Sequence, residues 1–126
     1  MDISVGEPNV LIGPVAAGKS SLLRGLTGLL DAGEATVGGE RMLFGKAISA
    51  TNHGALVGQR AATLIGTVRE CLGIPERAAA IETLEAYGLT SIIDDLDAPL
   101  LTLSSVDARL VLLARFAAAG APLIAI

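Results

Sequence analysis

An α/β fold, with helices packed on a parallel sheet, is what the 126-residue sequence predicts, and three observations predict it. An apolar run at 10–12 leads straight into Gly13-Pro14-Val15-Ala16-Ala17-Gly18-Lys19-Ser20, and then into apolar residues at helical spacing. Hydrophobic residues make up 52% of the chain and aromatics only 2%, so the core must be built from Leu, Ile, Val and Ala. That composition suits strands buried on both faces. Behind the turn Gly120-Ala121-Pro122, the run Leu123-Ile124-Ala125-Ile126 reads as one such buried strand.

Taken in order, residues 3–5 alternate with polar neighbours as a short strand, and Glu7-Pro8-Asn9 turns into the strand at 10–12. The first helix is predicted over 20–30, with Leu22, Leu23, Leu26, Leu29 and Leu30 on one face and Gly33 as its left-handed cap. Residues 34–37 and 41–44 read as two strands joined by Gly38-Gly39, a hairpin signal that adds a small antiparallel part. Leu56-Val57 is a further short strand, directly followed by Gln59.

From Thr67 the texture becomes helical. Thr67 and Glu70 have the spacing of a capping box for a short helix broken by Gly73. Pro75 sits where a first-turn proline is tolerated, and a helix over 76–87 turns Ile81, Leu84 and Tyr87 inward and ends at Gly88. Residues 92–97 read as one more helical turn; its aspartates suggest a solvated acidic turn rather than a metal site. Ser104 or Ser105 caps a last helix through 119, with Val106, Leu110, Leu113 and Ala117 on one face.

Composition narrows the function classes. The formal charge of −4 excludes the clustered Lys and Arg of a nucleic-acid surface, so no nucleic-acid partner is expected. The apolar stretch 110–126 is interrupted by Arg115, Gly120 and Pro122 and falls short of the ~20 residues a membrane span needs. No secretory leader is expected from residues 1–7, and the single Cys71 reads as a small buried residue in a reducing compartment. His53 reads as an exposed loop residue.

The chemistry lies in the loop. Gly13 to Ser20 match G-x-x-x-x-G-K-[ST], a phosphate-binding loop when it stands between a strand and a helix. Successive backbone amides there curl around an anion, and the helix start adds unpaired donors and the positive end of its dipole. Lys19 would reach the β- and γ-phosphates and the Ser20 hydroxyl would ligate Mg²⁺. Candidate phosphate ligands are therefore Gly13, Pro14, Val15, Ala16, Ala17, Gly18, Lys19, Ser20 and Ser21. The alternative is a plain glycine turn with a solvated lysine.

Beyond the loop, Leu56-Val57-Gly58-Gln59-Arg60 resembles the strand and Q-loop of ATP-binding cassette (ABC) transporter nucleotide-binding domains. Gly66-Thr67-Val68-Arg69-Glu70-Cys71 resembles the start of that family's helical subdomain. Leu103-Ser104 with Arg109-Leu110-Val111-Leu112-Leu113-Ala114-Arg115 is similar to its signature motif and helix, and Pro122-Leu123-Ile124-Ala125-Ile126 to its Walker B strand. The resemblance is to the exporter type and runs over essentially the whole chain. It implies a P-loop ATPase core over 1–66 and 121–126, and a helical subdomain with the signature helix over 67–120. Implied too are ATP and Mg²⁺ as ligands, with Lys19 and Gln59 catalytic and Ser20 and Gln59 on the metal. The implied partners are a transmembrane domain or subunit and a second nucleotide-binding domain. The implied setting is cytoplasmic, at a membrane reached through that partner.

The departures shape the expected activity. Where the family's signature has two glycines and a glutamine after its serine, this chain has Ser105, Val106 and Asp107, a β-branched side chain and an extra carboxylate. Ala16 replaces a common Walker A glycine, and no aromatic residue precedes Gly13 to stack on adenine. The Walker B carboxylates, D-loop and switch histidine would lie beyond Ile126. Two readings result: the ATPase domain of a transporter, or a degenerate or truncated module that binds nucleotide without hydrolysing it and acts through a partner. A small P-loop kinase or GTPase fits less well, since no N-K-x-D segment occurs.

Overall fold

The computed structural model describes residues 3–30, 33, 38–58 and 64–126. They form a mixed α/β fold with a parallel strand pair, a small antiparallel pair and four α-helices, consistent with a P-loop core. In the parallel pair, β3 (Ala55–Leu56) runs beside β4 (Ile124–Ala125), with Ala55 opposite Ile124 and Leu56 opposite Ala125. The amide of Ala55 donates to Leu123 O at 2.7 Å and that of Val57 to Ala125 O at 2.8 Å, so the ladder runs one residue past β3. Gly54 permits this approach: a Cβ there would stand 3.0 Å from Leu123 O. The short strand expected at 56–57 and the buried strand expected at 123–126 are thus both present, as Ala55–Leu56 and Ile124–Ala125.

The helix α1 (Lys19–Thr27) packs on both members of this pair. It ends earlier than the leucine spacing predicts. Gly28, not Gly33, takes the left-handed cap at φ 78°, and the amide of Leu29 closes back on Arg24 O at 2.8 Å. Leu29 and Leu30 therefore lie past the helix. Apolar spacing continued through them, but a left-handed glycine, with its own amide on Gly25 O and the Leu29 amide on Arg24 O, stops the helix first. The strands expected at 3–5 and 10–12 are absent. Val10 and Ile12 are 80% and 88% exposed, and no strand among the described residues lies beside them. A three-residue apolar run has no ladder of its own to hold it extended.

The hairpin is also shifted. Met42–Leu43 (β1) pairs with Lys46–Ala47 (β2) around Phe44-Gly45. Both turn residues are left-handed, at φ 51° and 73°, as a two-residue hairpin turn requires. Residues 34–37, expected as the first strand, lie outside the described residues, and Gly38-Gly39 is not the turn of the pair observed.

Most of the buried apolar side chains belong to the helical part. The short helix α2 (Val68–Leu72), α3 (Arg77–Ala86) and α4 (Ser105–Ala118) enclose Val68, Cys71, Leu72, Ala80, Leu84, Ala108, Val111 and Ala114. Two 3₁₀ turns, Thr90–Asp95 and Leu100–Thr102, add Ile92 and Leu100, and Leu96 follows the first. The face expected for α4 is corrected. Its buried residues are Ala108, Val111, Leu112 and Ala114, whereas Val106 is 64% exposed. Apolar residues surround this helix, so a 3.6-residue period fits more than one stripe. Tyr87, expected inward, is exposed, and Pro75 precedes the Glu76 cap of α3 instead of occupying its first turn. Asp97 pairs with Arg69 at 2.6 Å and also with Arg77, so the acidic turn serves as a surface clip between α2 and α3.

The capping box at α2 is present as expected. The Thr67 amide donates to the Glu70 carboxylate at 2.8 Å, and the Glu70 amide donates to the Thr67 hydroxyl at 3.4 Å. The Thr67 amide, then its hydroxyl, hold the Glu70 carboxyl below its ordinary 4.5. A depressed carboxylate stabilises the fold above its unfolded value, and that contribution is lost as pH falls through the depressed one. Glu70→Gln lacks this contribution throughout. Its melting temperature should lie below that of the wild type at about pH 7, with the gap narrowing as pH falls below about 4.5. Thermal melts across that range check it; a gap independent of pH would contradict the linkage.

Candidate phosphate-binding site

The loop at 13–18 is wound by its backbone. The Ala17 amide reaches Pro14 O at 3.3 Å, and Ala16 and Gly18 both turn left-handed, at φ 62° and 82°. For glycine that conformation costs little, whereas for Ala16 it costs roughly 1–2 kcal/mol. The strain falls where the family resemblance places a glycine. These two residues bring the chain round so that α1 begins at Lys19 with Gly18 as its cap and no capping side chain.

The first hydrogen bond of α1 runs from Leu22 N to Gly18 O at 2.9 Å. The amides of Lys19, Ser20 and Ser21 therefore have no partner within the helix. Residues 15–21 line a hollow of about 400 Å³ at this end. No side chain from 13 to 21 carries a negative charge. The donor set is helix amides, two exposed hydroxyls and the half-buried Lys19 ammonium, which is the chemistry a phosphate chain calls for. Lys19 Nζ lies 2.7 Å from Gly13 O and 2.6 Å from Pro14 O. Spacing alone carries no signal for that contact.

Seven of the nine loop residues named from the sequence, 15–21, line the hollow, while Gly13 and Pro14 meet Lys19 through their carbonyls instead. Gln59, the remaining candidate, lies outside the described residues, as does Arg60. Ser104 caps α4: its hydroxyl accepts from the Asp107 amide at 3.1 Å and donates to the Asp107 carboxylate at 2.7 Å. His53 is exposed, its ring Nδ1 2.8 Å from Gly54 O. Cys71 is buried, and burial pushes its thiol up, against the opposing pull of Arg115. That is the state of an inert core cysteine. A second cavity, of about 220 Å³, is lined by Leu56, Gly58, Leu64, Leu112, Arg115 and Phe116 and shares no residue with the loop. Among the described residues there is no cluster of His, Cys, Asp and Glu fit to hold a metal, and no helix long and apolar enough to cross a membrane.

A wound glycine loop feeding a helix that no side chain caps, packed on a parallel strand pair, is consistent with a P-loop core, although the strand expected directly before the loop is absent among the described residues. Compared with protein-family models, residues 1–126 match that of the ABC transporter, and the chain belongs to that family. No curated protein and no solved structure gives a significant match.

Proposed function

We propose that this chain binds ATP with Mg²⁺ as the nucleotide-binding domain of an ABC-type transporter. The observation that carries the reading is the hollow at 15–21, where the start of α1 has no capping side chain and Lys19 is the one charged residue of the lining. Residues 13–21 would hold the phosphates, Lys19 the β- and γ-phosphates, and Ser20 with Gln59 the metal. Bound Mg²⁺ supplies charge neutralisation on the phosphate oxygens. Lys19 and Gln59 are the proposed catalytic residues. Residues 1–66 and 121–126 form the proposed core and 67–120 the helical subdomain. The partners proposed are a transmembrane subunit and a second nucleotide-binding domain, at the cytoplasmic face of a membrane.

One observation favours a non-hydrolysing variant of this reading. The start of α4 already carries its own anion, the Asp107 carboxylate bonded to Ser104. A phosphate brought to that helix would meet a like charge, so the signature end of this chain is poor at completing a triphosphate site. An exporter-type domain with a degenerate signature is accordingly the finer form of the proposal.

Equilibrium titration with a fluorescent ATP analogue and Mg²⁺ tests the reading. Saturable binding is expected, displaced by unlabelled ATP and by tripolyphosphate but not by adenosine. A signal that does not saturate, or that adenosine displaces as well as ATP does, would overturn it.

A further inference from the structure

We propose that Ala16 sets how readily this loop accepts a phosphate: its backbone is held left-handed without the freedom of a glycine, and the arriving anion carries part of the cost of keeping the loop wound. As a statement about affinity, this rests on the nucleotide reading above. As a statement about the ligand-free loop, it does not.

Among the described residues nine glycines take positive φ, and only two other residues do, Phe44 and Ala16. At Phe44 the cause is plain, because the pairing of β1 with β2 imposes a left-handed turn. No strand pairing imposes it at Ala16, which stands at φ 62°. Two residues on, Gly18 takes φ 82° at little cost, and Ala17 between them has no positive φ. A Cβ at a left-handed position crowds the following carbonyl oxygen. Packing does not offset that crowding, since Ala16 is exposed. The turn itself is held lightly. Apart from the Lys19 contacts with Gly13 and Pro14, it closes on the Ala17 amide and Pro14 O at 3.3 Å. That separation lies outside the usual range of about 2.7–3.2 Å. Ala16, Ala17 and Gly18 all line the hollow, and an anion there draws on amides that converge only while the chain is wound. The free loop therefore divides its time between the wound form and relaxed ones, and the apparent affinity falls with the wound fraction. Glycine at 16 raises that fraction. It adds backbone entropy to the relaxed forms, but where φ is positive the strain relieved is the larger quantity.

Ala16→Gly and Ala17→Gly form the discriminating pair. Hydrogen exchange at 15–18 in the ligand-free chain, corrected for intrinsic rates, should be about two- to fivefold slower in Ala16→Gly than in the wild type. In Ala17→Gly it should be faster, because a glycine at 17 relieves no strain and adds only freedom. Exchange at 105–118 should be unchanged in both. Ala16→Asn separates strain from room: asparagine is bulkier yet tolerates the left-handed region, so its loop should also exchange more slowly than the wild type. Exchange that is unchanged or faster in Ala16→Gly would overturn the proposal, and so would both glycine variants moving in the same direction. Titrations with tripolyphosphate and with the fluorescent ATP analogue then read the affinity. Ala16→Gly should bind both about two- to fivefold more tightly than the wild type, and Ala17→Gly more weakly. Equal affinities of wild type and Ala16→Gly would overturn the effect on affinity while leaving the nucleotide reading in place. If none of these chains binds either probe while the opposed exchange rates stand, the nucleotide reading fails and the strain at Ala16 survives.

Discussion

Lys19→Ala should weaken binding of the Mg²⁺–ATP analogue by about ten- to a hundredfold while leaving the melting temperature within a few degrees. The loop meets an anion with amides, hydroxyls and one full positive charge, and the charge belongs to Lys19 alone among residues 13–21. A hydrogen bond to an ionised partner contributes about 1.5–3 kcal/mol, which corresponds to roughly 10–150-fold in affinity. In the free chain two of the three Lys19 ammonium donors already serve the Gly13 and Pro14 carbonyls. The observed loss should therefore sit below the upper end of that range. Stability should change little, because the side chain is only half-buried and lies outside the apolar core. Parallel titrations of wild type and variant decide it. Equal affinities would mean that the analogue is held elsewhere, and the phosphate-loop assignment would fall with them.

How much of this was readable from the residues follows from which forces were local. The Thr67–Glu70 box, the Ser104 cap and the breaks at Gly73, Gly88 and Gly120 depend on residues within one turn of each other, and all are present. The strands Ala55–Leu56 and Ile124–Ala125 were legible because a continuous aliphatic run bounded by glycine and proline has one economical place in a fold. Residues 10–12 have the same composition and form no strand, since a strand is a property of its neighbour as much as of itself. The inward face of α4 was not legible because apolar residues surround that helix, and only the positions of α2 and α3 select Val111 over Val106. The hairpin turn at Phe44-Gly45 was hidden by the stronger glycine pair at 38–39. In the site, the motif marked which residues meet, while the pairing of Lys19 with loop carbonyls is a matter of rotamer and carries no pattern in the sequence.

Leu84→Ala should destabilise the chain by about 2–5 kcal/mol, the range for a leucine truncated in a packed core. Leu84 is fully buried on α3, one turn from the equally buried Ala80, in a cluster with Leu72, Ile92, Leu96 and Val111. The site cannot collapse easily to fill the space. The Leu84 carbonyl accepts from the Leu89 amide at 2.8 Å, closing the end of α3 beside Gly88, and this holds the backbone in place around the missing side chain. Against a total stability of roughly 5–15 kcal/mol, such a loss is a large share. Urea unfolding should show a lower midpoint with an unchanged slope, since the surface exposed on unfolding is nearly the same. Val106→Ala is the matched control. Its side chain is 64% exposed on α4, so its midpoint should move by no more than about 0.5 kcal/mol-equivalent, whereas Val111→Ala, at a fully buried position of the same helix, should cost clearly more. If Val106→Ala proved the costlier of the two, α4 would have to be turned to present the opposite stripe, and the packing of the helical part described above would be wrong. If all three cost little, the helical cluster would not be the core that holds this part of the chain together.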